Sequence, residues 1–141
     1  MIKTKNKVDK LCINCSVELS NPRSTYCSNQ CQRDYDYSNY ITQWKLGKID
    51  GSISHGDEIS RFIRRYIMNK FNSACSLCKY DKVNPFSNKP VVEIEHINGD
   101  PSDNNESNLT VLCPNCHSLT ATYRALNKGH GRKHRRTMPN R

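Results

Sequence analysis

Eight cysteines fall into two sets built the same way. The first is Cys12-x2-Cys15-x11-Cys27-x3-Cys31 and the second is Cys75-x2-Cys78-x34-Cys113-x2-Cys116. Each set offers four sulfurs as two close pairs, the arrangement from which tetrahedral four-cysteine zinc sites are assembled. A tight turn presents each pair, and the fold brings the pairs together. Four close pairs that consume every cysteine point to two zinc ions rather than to disulfides or scattered thiols. Four thiolates leave no position open for water, so these metals are expected to be structural.

A different chemistry gathers in Glu93-Ile-Glu-His-Ile-Asn-Gly-Asp, in Asn108-Leu, and in Leu112-Cys-Pro-Asn-Cys-His117. An imidazole exchanges protons near neutral pH. A carboxylate and an imidazole together can hold a divalent ion that acts as a Lewis acid. Taken alone, His117 also reads as an ordinary helix-start residue or an alternative zinc ligand, and Glu93 as an exposed strand carboxylate. His55, His130 and His134 have no comparable context and are expected on the surface or in the tail.

These groups must be held by a chain with little to spare for a core. Of its 141 residues, 35% are hydrophobic and 25% charged, room for one ordinary domain or two small ones. Small units of this kind need staples, and metal binding supplies them. No apolar run approaches the ~18 residues of a membrane span. No signal-peptide pattern follows the basic N-terminus, so a cytoplasmic location, where thiols stay reduced, is expected. The formal charge of +9 falls to about +5 if all eight cysteines bind two zinc ions as thiolates, still suited to a polyanionic partner.

Three helices and two strands are expected. Ser28 resembles an N-cap for a helix from Asn29 to about Leu46, ended by Gly47. Along it Tyr37, Tyr40, Ile41 and Trp44 recur at helical spacing as a packing stripe. Residues 47–56 read as a linker. A second helix, about Asp57 to Phe71, turns Ile59, Phe62, Ile63, Tyr66 and Ile67 inward and leaves Arg61, Arg64, Arg65 and Lys70 largely elsewhere. From Val91 the pattern alternates, with Val92, Ile94 and His96 on one face and Glu93 and Glu95 on the other, which argues a short strand. A polar loop over 98–107 leads to a second strand, Leu109 to Leu112. Pro114 suits the first turn of a helix running to about Leu126.

In this segment the chain resembles the HNH nuclease family, of ββα-metal fold. The matching positions are His96 at the end of the first strand, Asn108 before the second, and His117 early in the helix. The run His117-Ser-Leu-Thr-Ala-Thr-Tyr-Arg-Ala-Leu-Asn-Lys-Gly is similar to the helix of many phage and bacterial members. The cysteine pairs fit as well, because many members lock this motif with a four-cysteine zinc. The resemblance covers roughly residues 57–129. The segment from Cys12 to about Gly51 is similar, more vaguely, to a small zinc module often found before such domains.

The resemblance implies a small, metal-stabilised α+β fold: an N-terminal zinc module with its helix over 1–51, a nuclease domain over 52–129 and a basic tail over 130–141. It implies a DNA endonuclease dependent on Mg²⁺ or Mn²⁺ that leaves 5′-phosphate and 3′-hydroxyl ends. His96 would be the general base, Glu95 and His117 the ligands of the catalytic metal, and Asn108 the residue that holds the loop and orients the base. One active site per chain suggests nicking of double-stranded DNA, by a monomer or a larger assembly. A phage-encoded protein in a bacterial host, homing-like or genome-processing, fits the members it resembles, and a host restriction or defence enzyme also fits. The family usually has Asp or His where this chain has Glu95, one methylene longer, which bears on metal geometry. Residues 127–141 carry six Lys/Arg and no acid, so Lys128, Arg132, Lys133, Arg135 and Arg136 are candidate phosphate contacts. The competing readings are a catalytically inactive zinc-containing DNA-binding protein, for which Glu95 is the one argument, and an RNA-binding or protein-interaction module built on the zinc modules and the Tyr-rich helix.

Overall fold

A computed structural model describes residues 10–53 and 58–127 of the chain. The element order is α1 (Asn29–Lys45), α2 (Arg61–Lys70), β1 (Glu93–His96), β2 (Leu109–Leu112) and α3 (Pro114–Ser118), with 3-10 turns at Glu106–Asn108 and Arg124–Leu126. The fold is thus a small α+β one, in two compact units, Met1–Thr42 and Gln43–Arg141. No helix among the described residues is long and apolar enough to cross a membrane. His55, His130, His134 and the basic tail with Lys128, Arg132, Lys133, Arg135 and Arg136 lie outside the described residues.

In the first unit the chain turns back on itself around Cys12 and Cys15. Leu11 bridges to Glu18, and the Leu19 N–H donates to the Lys10 carbonyl at 2.8 Å. Ser28 then starts α1. Its Oγ accepts from the Cys31 N–H at 3.1 Å, and its carbonyl from the Gln32 N–H, which satisfies donors the first turn leaves open. At the other end Gly47, with φ of +69°, closes the helix. Its N–H bonds to the Trp44 carbonyl and that of Lys48 to the Gln43 carbonyl, the paired bonds of a Schellman motif.

The second unit is built on a two-stranded antiparallel sheet. Glu93 pairs with Leu112, Ile94 with Val111, Glu95 with Thr110 and His96 with Leu109. Paired residues share a face, so Ile94, His96, Leu109 and Val111 lie on one side and Glu93, Glu95, Thr110 and Leu112 on the other. Helix α2 packs against this sheet. Its Ile63 and Ile67 are fully buried, as is Val111, while Arg61, Arg64, Arg65 and Lys70 are exposed, as the amphipathic spacing requires. Trp44 is buried too, its ring 5.6 Å from that of Tyr66 in a T-shaped contact.

The start of α2, the stretch before it and the end of the last helix differ from expectation. Helix α2 begins at Arg61 and not near Asp57, because Ile59 is taken up in a bridge to Ser52. Ser60 caps the helix instead, its Oγ accepting from the Ile63 N–H at 3.3 Å. The described part of the stretch expected as a linker, residues 47–53, is thereby tied into the fold. The Ser60 N–H bonds to the Gly51 carbonyl, and Gly51 is buried at a φ of +82° against Trp44 and Ile63. The last helix ends at Ser118 rather than near Leu126. Hydroxyls compete for its final carbonyls: Ser118 Oγ donates to the Asn115 carbonyl at 2.7 Å and Thr120 Oγ1 to the His117 carbonyl at 2.9 Å. The chain continues to Asn127 through turns.

Candidate active site and metal centres

The four sulfurs of Cys12, Cys15, Cys27 and Cys31 all lie within 4.8 Å of one another, and so do those of Cys75, Cys78, Cys113 and Cys116. All eight are free thiols. Tetrahedral zinc with bonds of about 2.3 Å places its sulfurs about 3.8 Å apart, so both clusters have the size a metal ion requires. Each is a site that could hold one structural ion.

The two clusters also share a backbone. In the first, Cys12 donates its N–H to the Val17 carbonyl, Ser16 donates to the Cys12 carbonyl, and Ser16 has a φ of +60°. In the second, Cys75 donates to Tyr80, Lys79 donates to Cys75, and Lys79 has a φ of +63°. The left-handed residue after each second cysteine is what folds the pair into a turn. The turn also aims N–H groups at the first sulfur. Burial opposes ionisation of Cys12, but N–H groups of Cys15, Cys27 and Asn14 outweigh it and draw the thiol down to about 6. Cys75 behaves alike, with burial overcome by the backbone of Cys78, Cys113 and Leu77, and is also lowered to about 6. Crowding by neighbouring thiols does the reverse elsewhere: Cys27 is pushed up to about 12 chiefly by Cys31, and Cys116 to about 12 chiefly by Cys78. A cation would discharge that crowding.

The second cluster is fixed to the sheet. Ser76 donates its N–H to the Val111 carbonyl at 2.8 Å, and its hydroxyl meets that of Thr110 at 2.8 Å. Cys75, Leu112 and Cys113 are buried together, with Val92 and Cys116 against them. β2 therefore feeds directly into Cys113, and His117 follows one turn later.

That turn decides where His117 points. Its Nδ1 lies 2.8 Å from Glu95 Oε2, across from β1. The nitrogen is buried, yet it has no hydrogen-bond partner of acceptable alignment. The approach is close and the geometry is not that of a hydrogen bond, as expected of two donors that face a common third atom. Their chemistry, one carboxylate oxygen and one imidazole nitrogen, fits a divalent cation. Burial raises the Glu95 carboxyl above its ordinary range, with Glu93 adding to the effect and His117 and His96 opposing it. Glu93 itself is exposed.

His96 is the last residue of β1 and faces the other side of the sheet. Its Nε2 lies 2.9 Å from Asn104 Oδ1. Asn108 makes no hydrogen bond with the imidazole. Its Nδ2 donates to Asn98 Oδ1 at 2.9 Å and to the Asp103 carbonyl at 2.7 Å, while its Oδ1 accepts from the Asn98 N–H at 3.0 Å. Asn108 thus ties the loop shut, and its carbonyl accepts from the Ile97 N–H at 2.9 Å. The imidazole contact belongs to Asn104, which the sequence did not single out. Asn104 sits in an Asn-rich polar loop with no local signal to distinguish it from Asn105. Its partners are remote in sequence, Ser52 Oγ at 3.1 Å and Trp44 Nε1 at 2.9 Å.

The chain is 40% identical over 53 residues to the H-N-H endonuclease F-TflIV of Escherichia phage T5. The matched stretch is 37% of this chain and 23% of the length of that relative. No family model matches the chain. No solved structure matches it either. The similarity is therefore partial, to about a quarter of the length of a protein named as an H-N-H endonuclease.

Proposed function

We propose that the chain is a divalent-metal-dependent DNA endonuclease of the HNH type, with a ββα-metal core, that nicks double-stranded DNA. The observation that carries the reading is the convergence of Glu95 and His117 on one another, without a hydrogen bond, beside a histidine at the end of the same strand. Glu95 and His117 would hold the catalytic ion, Mg²⁺ or Mn²⁺. Bound there, such an ion supplies Lewis-acid polarisation of the phosphate and charge stabilisation of the departing 3′ oxygen.

The remaining chemistry falls to the protein's own groups. His96 accepts the proton of the attacking water at a ring nitrogen. His96 and Glu95 lie on opposite faces of β1, so the scissile phosphate would have to be reached from both. Asn108 keeps the loop over 98–108 folded beside it. The two four-cysteine sites hold structural zinc, and the second fixes the residues leading into His117. The tail residues Lys128, Arg132, Lys133, Arg135 and Arg136 supply phosphate contacts that carry no sequence information.

Nicking of supercoiled plasmid at low salt tests this reading, with Mg²⁺ or Mn²⁺ added or omitted, beside His96→Ala. We expect metal-dependent open-circle product. It should fall by about 10²–10⁴-fold in a variant that stays folded and still binds DNA. A zinc-loaded wild type that binds DNA and never cleaves it would instead identify an inactive DNA-binding protein, with Glu95→Asp as the first variant to examine.

A further inference from the structure

On the nuclease reading His96 must offer one ring nitrogen as an empty lone pair, and a neutral imidazole has two candidates. The hydrogen bond at the other nitrogen decides between them. Nε2 is the one engaged, at 2.9 Å from Asn104 Oδ1. No hydrogen bond occupies Nδ1 among the described residues. An amide oxygen can only accept, so this contact requires the proton on Nε2 and leaves the lone pair on Nδ1.

The amide is itself held. Asn104 is 2% exposed. Its Nδ2 donates to Ser52 Oγ at 3.1 Å, with the amide oxygen toward the imidazole. Its backbone carbonyl accepts from Trp44 Nε1 at 2.9 Å, which fixes where the residue sits. Ser52 is in turn bridged to Ile59, and Trp44 is buried at the end of α1. Both supports come from outside the loop that carries Asn104 and outside the strand that carries His96.

We infer that Asn104 is a positioning residue that locks His96 in the Nε2–H tautomer, so that Nδ1 is the atom that takes the proton from water. Asn108, four residues on, closes the loop and makes no hydrogen bond with the imidazole. The polar side chains of Ser52 and Trp44 extend the arrangement into the segment ahead of α2.

The test reads the tautomer directly and does not depend on cleavage. Full-length protein, zinc-loaded and uniformly ¹⁵N-labelled, is examined by long-range ¹H–¹⁵N correlation of its histidine rings, at a pH where the His96 ring is neutral. His96→Gln assigns the signal. Wild type should show Nε2 protonated and Nδ1 bare. Asn104→Ala should give a mixture of tautomers, Asn104→Asp should restore the Nε2–H form, and Ser52→Ala should weaken the preference without abolishing it. In steady-state nicking, Asn104→Ala should lower kcat by about 10- to 100-fold with KM little changed. Asn104→Asp should recover part of that loss.

A wild-type ring protonated at Nδ1 would overturn the inference without any variant. So would an Asn104→Ala protein that keeps a pure Nε2–H ring. If Asn104→Ala does not fold, wild type and Ser52→Ala still decide the question. The expected tautomers in a protein that cleaves nothing would sink the nuclease reading and leave Asn104 as the residue that sets the ring.

Discussion

Asn108 and Glu106 show how single side chains hold the loop on which the candidate site depends. Asn108 spends its amide on Asn98 and Asp103, inside the protein at 9% exposure. Asn108→Ala would strand the Asn98 N–H and the Asp103 carbonyl, at a cost of about 1–3 kcal/mol. Urea unfolding followed by fluorescence of Trp44, the chain's single tryptophan, should show the lower midpoint. Unchanged stability would mean that water replaces the amide. Glu106 accepts from Lys70 at 2.7 Å and from Tyr66 at 2.9 Å. Lys70, and then Tyr66 and Lys45, hold its carboxyl below the ordinary range against a smaller effect of burial. A carboxyl lowered on folding stabilises above its unfolded value, and loses that contribution as pH falls through the folded value. Glu106→Gln should therefore lower stability at pH 7 and narrow the difference from wild type under acid. The group is partly exposed, so the effect should be small and should shrink further in high salt. A gap between the two proteins that widens on acidification would contradict the assignment.

At the scale of elements, what could be read from the sequence was whatever is written as spacing. The cysteine pairs, the alternation ending at His96 and the Ser28 and Gly47 ends of α1 are local patterns, and each appears in the structure. The Asn104 contact was not legible, because it is made by Trp44 and Ser52, 60 and 52 residues away, and an Asn in an Asn-rich loop looks like any other. The end of α3 is not legible for a related reason. Pro114 and the family-like run from His117 point to a longer helix, while the hydroxyls of Ser118 and Thr120 take carbonyls at its end. The turn after β1 carries a constraint of the same non-local kind. Gly99, at a φ of +75°, donates to the His96 carbonyl and accepts from Asn127 Nδ2 at 2.8 Å. A Cβ there would stand 2.6 Å from Asn127 Oδ1 and 2.7 Å from Thr122 Cγ2. Gly99→Ala should cost about 2–4 kcal/mol, from left-handed strain and the clash together. Nicking should fall with it, since the turn follows His96 directly. A stable, fully active Gly99→Ala protein would show that the C-terminal segment simply moves aside.

For the molecule as a whole, two four-sulfur clusters that could hold metal ions stand where a large core is missing. The buried apolar set is short, and four-sulfur clusters anchor both compact units. Zinc content should be two per chain by elemental analysis. Removal by a strong chelator should unfold the protein cooperatively, with loss of α1 helicity by circular dichroism and restoration by zinc and not by Mg²⁺. A metal-free protein with the same spectrum and thermal midpoint would refute a structural role. The same dependence complicates any chelation control for catalysis, which makes omission and readdition of Mg²⁺ the cleaner comparison.

Cys116 and His117 are neighbours in one short helix, and each is aimed at a different centre. A helix turns by roughly 100° per residue. One residue inserted between them would leave all four thiols in place and swing the imidazole away from Glu95. The stretch from Cys113 to His117 therefore has a fixed length, whereas the exposed loop over 83–90 can grow or shrink. In a family of such chains, insertions should collect in that loop and never between the last cysteine and the histidine.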